Sequence, residues 1–170
     1  MKNFLLTLLI ACCFSTHAVG DDATSRYKLY LIRHAEKQSD GSIDPVLTEA
    51  GKYRSEQLTR WFQDKDIKDI WSSDYHRTRD TVKPLLKQLG LALNNYDPDH
   101  QSALVKQLLE RERNALIVGH SNTIPELARL LCKCKIADMD DSEHDRLIVI
   151  AVIDGATMVG TLQQNVLFQR

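Results

Sequence analysis

The sequence predicts an α/β fold. The expected form is a three-layer sandwich, with a mostly parallel sheet, helices on both faces and an antiparallel C-terminal hairpin edge. Three observations carry this expectation. Short apolar runs alternate along the chain with amphipathic stretches of helical period, the pattern left by strand–helix–strand crossovers. The runs are almost wholly apolar rather than alternating, as strands covered on both faces must be. Near the C-terminus, Asp154-Gly155 joins two strand-like runs through a two-residue turn, which makes the last pair antiparallel.

Each element has its own local signal. Tyr27–Arg33, rich in aromatic and branched residues, is the first strand, and a polar loop, Gln38–Pro45, follows it. Leu47-Thr48 opens a helix with Leu58, Trp61 and Phe62 on its apolar face. Ile67–Ser72 is the second strand. From His76 a helix carries Thr78, Val82, Leu85, Leu86 and Leu89 on one side and ends at Gly90, with Pro84 expected to kink it. Asp97-Pro98 starts the next helix, with Asp as N-cap and Pro in the first position, and Leu104, Val105, Leu108 and Leu109 form its apolar face. Asn114–Gly119 is the third strand. Thr123-Ile124-Pro125-Glu126 is a capping box, and Ile124, Leu127, Ala128 and Leu131 recur at helical spacing behind it. Leu147–Ile153 is the fourth strand, and Thr157–Phe168 the last.

A chain of 170 residues, 43% hydrophobic and 26% charged, suits one domain. Lys plus Arg total 22 against 23 acids, so no basic excess marks a nucleic-acid binder. Residues 1–20 resemble none of the other segments. Lys2 precedes an apolar run from Phe4 to Phe14, and small residues from Ser15 to Gly20 follow, the pattern of a secretory signal peptide. Residues 21–170 are then a single exported domain, secreted or periplasmic. Leu9-Ile10-Ala11-Cys12 is like the tetrapeptide before a lipid-modified cysteine, so a membrane enters only if Cys12 is lipidated.

Export leaves Cys132 and Cys134. An oxidising compartment permits a disulfide. The ring closed by Cys-x-Cys is very small, however, and the required separation is hard to meet. Cysteines ending a helix are commonly just small apolar residues, and the sequence leaves both the free and the oxidised pair open. Only His144 and a few Asp residues are near enough in sequence to complete a metal site, and no metal is expected.

In parallel sheets of this kind ligands bind beyond the carboxyl ends of the strands. The first strand ends in Arg33-His34-Ala35-Glu36-Lys37. The second ends in Ser72-Ser73 and leads to His76, Arg77 and Arg79, while the third ends in Gly119-His120-Ser121-Asn122-Thr123. Guanidinium groups present planar paired donors that match phosphate oxygens. A neutral imidazole can attack phosphorus and form a covalent phosphoenzyme. Two Arg and a second His can stabilise the charge on a transferred phosphoryl group without a metal. Arg79 and His76 read as solvated side chains opening a helix, and Glu36 as a structural tie from its loop to a neighbouring helix.

These residues resemble the histidine phosphatase superfamily, also called phosphoglycerate mutase-like. The likeness begins in Leu31-Ile32-Arg33-His34-Ala35-Glu36-Lys37 and continues through Leu47-Thr48-x-x-Gly51 and Ser72-Ser73-x-x-x-Arg77-x-x-x-Thr81. It ends in Val118-Gly119-His120-Ser121-Asn122-Thr123. The four blocks span roughly residues 27–130 and come in the family's order. The resemblance implies that His34 is the nucleophile that becomes phosphorylated. Arg33 and Arg77 bind the phosphoryl group, and His120 completes the pocket as a catalytic and substrate-binding residue. It also implies a proton donor for the leaving group, and no clear acid stands out. Of Asp80, Asp97, Asp99, Glu110 and Glu112, Asp97 is occupied as a cap and the two Glu lie far along a helix. Glu126 belongs to its capping box, and Asp99 is the best of the remaining candidates.

The implied activity is that of an exported, metal-independent phosphatase with no cofactor. Its phosphomonoester or phosphoramidate substrates would be a phosphorylated small molecule, an envelope glycolipid or a phosphoprotein, with no nucleic acid among its partners. Compact members include bacterial protein phosphohistidine phosphatases, whose imidazole leaving group needs less help from an acid, while export favours a sugar or glycolipid phosphate. The alternative is a catalytically idle phosphate-binding or protein-interaction module on the same fold. Residues 21–170 leave no room for a cap domain, so the site is expected to be open.

Overall fold

A computed structural model describes residues 26–167, and the segment 1–20, with Cys12, lies outside the described residues. The elements follow as β1 (Arg26–Arg33), α1 (Glu49–Phe62), β2 (Asp69–Ser72), α2 (His76–Leu89), β3 (Leu93–Asn95) and α3 (Gln101–Arg111). Then come β4 (Ala115–Gly119), α4 (Thr123–Cys132), β5 (Arg146–Ile153), β6 (Ala156–Gln163) and α5 (Gln164–Leu167). The six strands form one sheet in the order β3-β2-β4-β1-β5-β6. β3, β2, β4 and β1 pair in parallel, and β5 runs antiparallel to both β1 and β6. This is the expected architecture.

The apolar strands divide their side chains between two cores. On one face Leu29, Leu31, Ile117, Ile148 and Ile150 pack against Leu104 and Leu108 of α3 and Ile124, Leu127 and Leu131 of α4. On the other, Tyr30, Ile32, Ile70, Leu116 and Val118 meet Leu58 and Phe62 of α1 and Val82 and Leu85 of α2. The period-2 alternation of β1 is thus satisfied twice, and both layers of helices are needed to keep the sheet dry.

Several expectations are corrected in detail. β3 was not foreseen, because Leu93-Asn94-Asn95 is short and asparagine is a poor strand former. α3 starts at Gln101, after the expected Asp97-Pro98. Asp97 instead closes a turn, its carboxylate accepting from the Asp99 N–H at 2.9 Å and meeting His100 Nδ1 at 2.8 Å. The capping box does not form. Thr123 Oγ1 accepts from the His120 N–H at 3.0 Å, and Glu126 accepts from Gln101 Nε2 at 3.3 Å, so both side chains serve other partners. β6 stops at Gln163, where α5 begins, and Phe168 lies outside the described residues.

α2 runs through Pro84 without a break. The proline leaves the Asp80 carbonyl without its helical N–H, and Ser55 Oγ of α1 donates to that carbonyl at 3.2 Å. Gly90 ends the helix in the left-handed region, as expected, at φ 66°. Asp154 and Gly155 both take positive φ, 50° and 79°, as a two-residue hairpin turn requires.

The cysteines, whose state the sequence leaves open, form a disulfide. Lys133, the cap of α4, is left-handed at φ 53°, and this folds the chain so that the Cys132 and Cys134 Cα atoms lie 5.2 Å apart. That falls inside the range a disulfide accepts. Among the described residues no helix is long and apolar enough to cross a membrane.

Candidate active site

The carboxyl ends of β1, β2 and β4 open onto one cleft of about 320 Å³, lined among others by Arg33, His34, Arg77, Asp99 and His120. All five residues singled out from the sequence therefore meet. α2 and α4 begin directly after β2 and β4, so their N-termini border the same rim, a setting that favours anions. Gly119 makes the close approach possible. A Cβ there would stand 2.6 Å from the Tyr96 hydroxyl and 2.9 Å from Thr123 Oγ1.

His34 is 3% exposed, and its surroundings set both its tautomer and its charge. Nδ1 lies 2.7 Å from the Ala35 carbonyl oxygen. A carbonyl can only accept, so Nδ1 carries the ring proton and Nε2 keeps its lone pair. Burial pushes the imidazole down to about 3; the Ala35 carbonyl opposes this, and the charges of Arg33 and Arg77 add to it. At neutral pH the ring is uncharged and nucleophilic at Nε2.

His120 is likewise pushed down to about 4, by burial first and then by Arg77 and Arg33. Its Nε2 lies 2.9 Å from Ser73 Oγ. Thr78 Oγ1 donates to the Ser73 carbonyl at 2.8 Å, so Ser73 donates to Thr78 and accepts from His120. The edge of the His120 ring also meets Tyr75, with centroids 5.1 Å apart.

The two arginines are held by different means. Arg33 is buried, and its Nη1 donates to three backbone carbonyls, Asp140 at 3.0 Å, Asp141 at 2.7 Å and Glu143 at 3.1 Å. Its Nε, also buried, has no partner. Arg77 stacks over the Tyr75 ring at 4.2 Å and reaches Asp44 at 3.4 Å, again leaving Nε unpartnered. Each guanidinium is anchored on one side and still has N–H groups unengaged, as a phosphoryl oxygen requires.

Around this core the remaining expectations are resolved. Glu36 is the structural tie foreseen, bound by Arg54 of α1 through three N–H contacts of 2.6–3.1 Å. Burial alone would raise its carboxyl, but Arg54 holds it below its ordinary value. Arg79 pairs with Asp74, and His76 is exposed. Among the described residues no group of three or more His, Cys, Asp or Glu is gathered to hold a metal.

Sequence reasoning passed over Asp44, Ser73, Tyr75 and His144. Asp44, in the polar loop Gln38–Pro45, accepts from the His76 N–H at 2.9 Å and faces Arg77. Ser73 and Tyr75 lie inside the strand-end segment and were legible there as neighbours of Arg77. His144, considered only as a metal ligand, carries no local motif.

Residues 29–99 match the model of the histidine phosphatase superfamily (branch 1). The matched segment holds Arg33, His34, Arg77 and Asp99 and ends before His120. No curated protein matches the chain. Among solved structures, the protein histidine phosphatase SixA, complexed with tungstate, is 17% identical with a TM-score of 0.69, over 82% of this chain and 99% of that one. The alpha-ribazole phosphatase from Shigella flexneri is 15% identical with a TM-score of 0.66, over 80% of this chain and 96% of its own. A mycobacterial glucosyl-3-phosphoglycerate phosphatase is 16% identical with a TM-score of 0.64, over 81% and 98%. At these identities the likeness establishes the fold.

Proposed function

We propose that the protein is a member of the histidine phosphatase superfamily, whose model residues 29–99 match, and an exported phosphatase that works through a phosphohistidine on His34 and uses no metal. The observation that carries this reading is the state of His34. It is a buried, neutral imidazole with its proton fixed on Nδ1, facing a cleft that holds two half-anchored guanidiniums.

Nε2 attacks phosphorus and the leaving group departs, which forms the N–P bond and breaks the P–O or P–N bond of the substrate. Arg33 and Arg77 bind the equatorial oxygens, where the charge of the transition state sits. A phosphoryl dianion beside His120 favours its protonated form, so His120 adds a third positive donor as substrate enters. Water then attacks phosphorus, its proton passing to solvent; a P–O bond forms, the N–P bond breaks, inorganic phosphate leaves, and His34 returns to its resting state with the proton still on Nδ1.

Asp99 is the proposed proton donor. It is exposed on the cleft wall, where its side chain can meet a leaving group, whereas Asp141, also on that wall, is held by Ser121 at 2.8 Å. The cleft shares the wall residues Tyr75, Pro98 and Asp99 with a neighbouring cavity of about 510 Å³. That open side suits a phosphoryl group carried on a glycolipid, a phosphoprotein or a loosely selected small molecule. Residues 1–20 are proposed to direct export.

The test is a panel of phosphorylated compounds, including an aryl phosphate, sugar phosphates and a phosphohistidine peptide, assayed against wild type and His34→Ala. Turnover of at least one class, abolished in the variant, supports the reading. Equal turnover in the two proteins sinks the mechanism. Binding of inorganic phosphate with no turnover of any compound favours an idle module.

A further inference from the structure

The peptide unit between His34 and Ala35 is gripped at both of its polar atoms. Its N–H donates to Thr81 Oγ1 of α2 at 2.9 Å. Its carbonyl accepts from His144 Nδ1 at 3.0 Å, on the segment that leads into β5. The two grips come from different layers of the fold. Thr81 is itself tied to the Arg77 carbonyl at 2.7 Å, so the peptide is braced against the helix that carries a phosphoryl-binding arginine.

His144 closes a brace that touches every strand end of the site except that of β2. The carbonyls of Asp140, Asp141 and Glu143 hold Arg33, and the Asp141 carboxylate holds Ser121, the residue after His120. His144 then reaches the carbonyl of the nucleophile itself. Its ring lies beside that of His34, with centroids 5.6 Å apart and planes at 55°. It does not line the reaction cleft. It lines the adjoining cavity of about 390 Å³ with Arg33, Glu36, Lys37, Ser39 and Asp141.

We infer that His144 is a positioning residue for the nucleophile. By holding the His34 carbonyl opposite Thr81, it sets the peptide plane from which the His34 ring projects, and so aims Nε2 into the cleft. The inference rests on His34 being the nucleophile. The Ala35 carbonyl that accepts from His34 Nδ1 and selects the tautomer belongs to the next peptide unit, so its direction follows from the peptide that His144 and Thr81 hold. Without His144 the buried His34 carbonyl loses its donor, and the peptide must turn to find another. The ring and its proton then lose their fixed direction.

The test compares His144→Ala, His144→Asn and His144→Gln. An Asn amide nitrogen stands close to where Nδ1 stood and can donate to the same carbonyl, whereas Gln reaches past it. With an aryl phosphate, His144→Ala should lose about 10- to 100-fold in kcat, the scale expected when a reacting group is misplaced by about an ångström. KM should stay near the wild-type value, because Arg33 and Arg77 are untouched. His144→Asn should recover most of kcat, and His144→Gln should not. In the imidazole 15N spectrum, His34 should be the Nδ1–H tautomer in wild type and His144→Asn, and a mixture of tautomers in His144→Ala.

Wild-type kcat in His144→Ala would overturn the proposal, as would an Asn variant no better than the Gln variant. The Asn–Gln contrast decides even where His144→Ala folds poorly. His34→Ala is the separate control. Turnover that survives in it refutes the phosphohistidine reading, while an inactive His34→Ala beside a fully active His144→Ala refutes the positioning role alone.

Discussion

Gly51→Ala separates local preference from tertiary packing, because the two give opposite signs. Gly51 lies in the first turn of α1, where alanine should stabilise the helix by about 1 kcal/mol. The structure says otherwise. A Cβ at this position would stand 2.2 Å from the Glu36 carbonyl oxygen and 3.1 Å from both the Glu36 C and N atoms. A carbon–oxygen contact needs about 3.3 Å, so the overlap is about 1 Å, and the opposing atoms are backbone. That carbonyl cannot yield freely, since it accepts from the Thr48 N–H at 2.9 Å and sits two residues from His34. Overpacking of this kind costs up to about 3 kcal/mol, which leaves a net loss of about 2 kcal/mol after the propensity gain. For a domain of this size that is a fall in Tm of about 4–8 °C. Thermal unfolding followed by circular dichroism, with a urea titration beside it, reads the change. A variant as stable as wild type, or more so, would refute the claim that α1 is packed against the catalytic loop at this glycine.

Other expectations follow from the charges and partners of the site. His34 is held near 3 and His120 near 4 in the substrate-free site; protonation of the nucleophile should therefore put no flank on phosphoenzyme formation between about pH 5 and pH 8 and should lower it only below about pH 4. A flank near pH 6.5 in the single-turnover rate would show that His34 is not buried as described. The same depression has a stability consequence. The unfolded rings bind protons from about pH 6.5 downward and the folded ones do not, so the contribution is complete above pH 6.5 and is lost as pH falls toward 3. Between pH 7.5 and pH 5 the loss is about 2 kcal/mol for His34 alone, and a His34→Ala protein should show a shallower decline in urea titrations. Asp99→Asn should lower kcat about 100-fold for an alkyl phosphate and far less for a phosphohistidine peptide, because an imidazole protonated on its other ring nitrogen leaves as a neutral molecule and needs less help from an acid than an alkoxide does. Equal effects on both would exclude Asp99 as the donor. Cys132→Ser should lower the Tm by a few degrees, since the ring it opens is small and is worth about 1–2 kcal/mol. Alkylation without reduction should leave Cys132 and Cys134 unlabelled in the wild-type protein.

Much of the fold was legible because the burial of β1 and β4 on both faces leaves little freedom in the composition of their central residues. Leu29 to Ile32 and Leu116 to Val118 must all be apolar, and such runs announce themselves. The site was legible for a related reason. Arg33, His34 and His120 stand directly after those runs, and Arg77 stands one loop beyond Ser72, so finding the strand ends found the chemistry. What stayed hidden depends on contacts distant in sequence. Thr123 and Glu126 match a capping box locally, yet the His120 N–H and Gln101 claim their side chains. Asp97 makes a good N-cap in isolation, yet His100 and the Asp99 N–H hold it in a turn. His144 lies 110 residues from the carbonyl it binds, and no local pattern encodes such a partner. The disulfide is not legible for a backbone reason, because Lys133 adopts the left-handed conformation usually left to glycine or asparagine.

The central claim is that a neutral His34, unprotonated at Nε2, takes the phosphoryl group. The most direct measurement is rapid acid-free quenching of the wild-type protein with excess aryl phosphate, followed by mass spectrometry of its peptides. The account predicts one phosphoryl group on the peptide containing His34, stable to base, lost in acid and absent from His34→Ala. A phosphoryl group on any other residue, or steady turnover with His34 never modified, would contradict it.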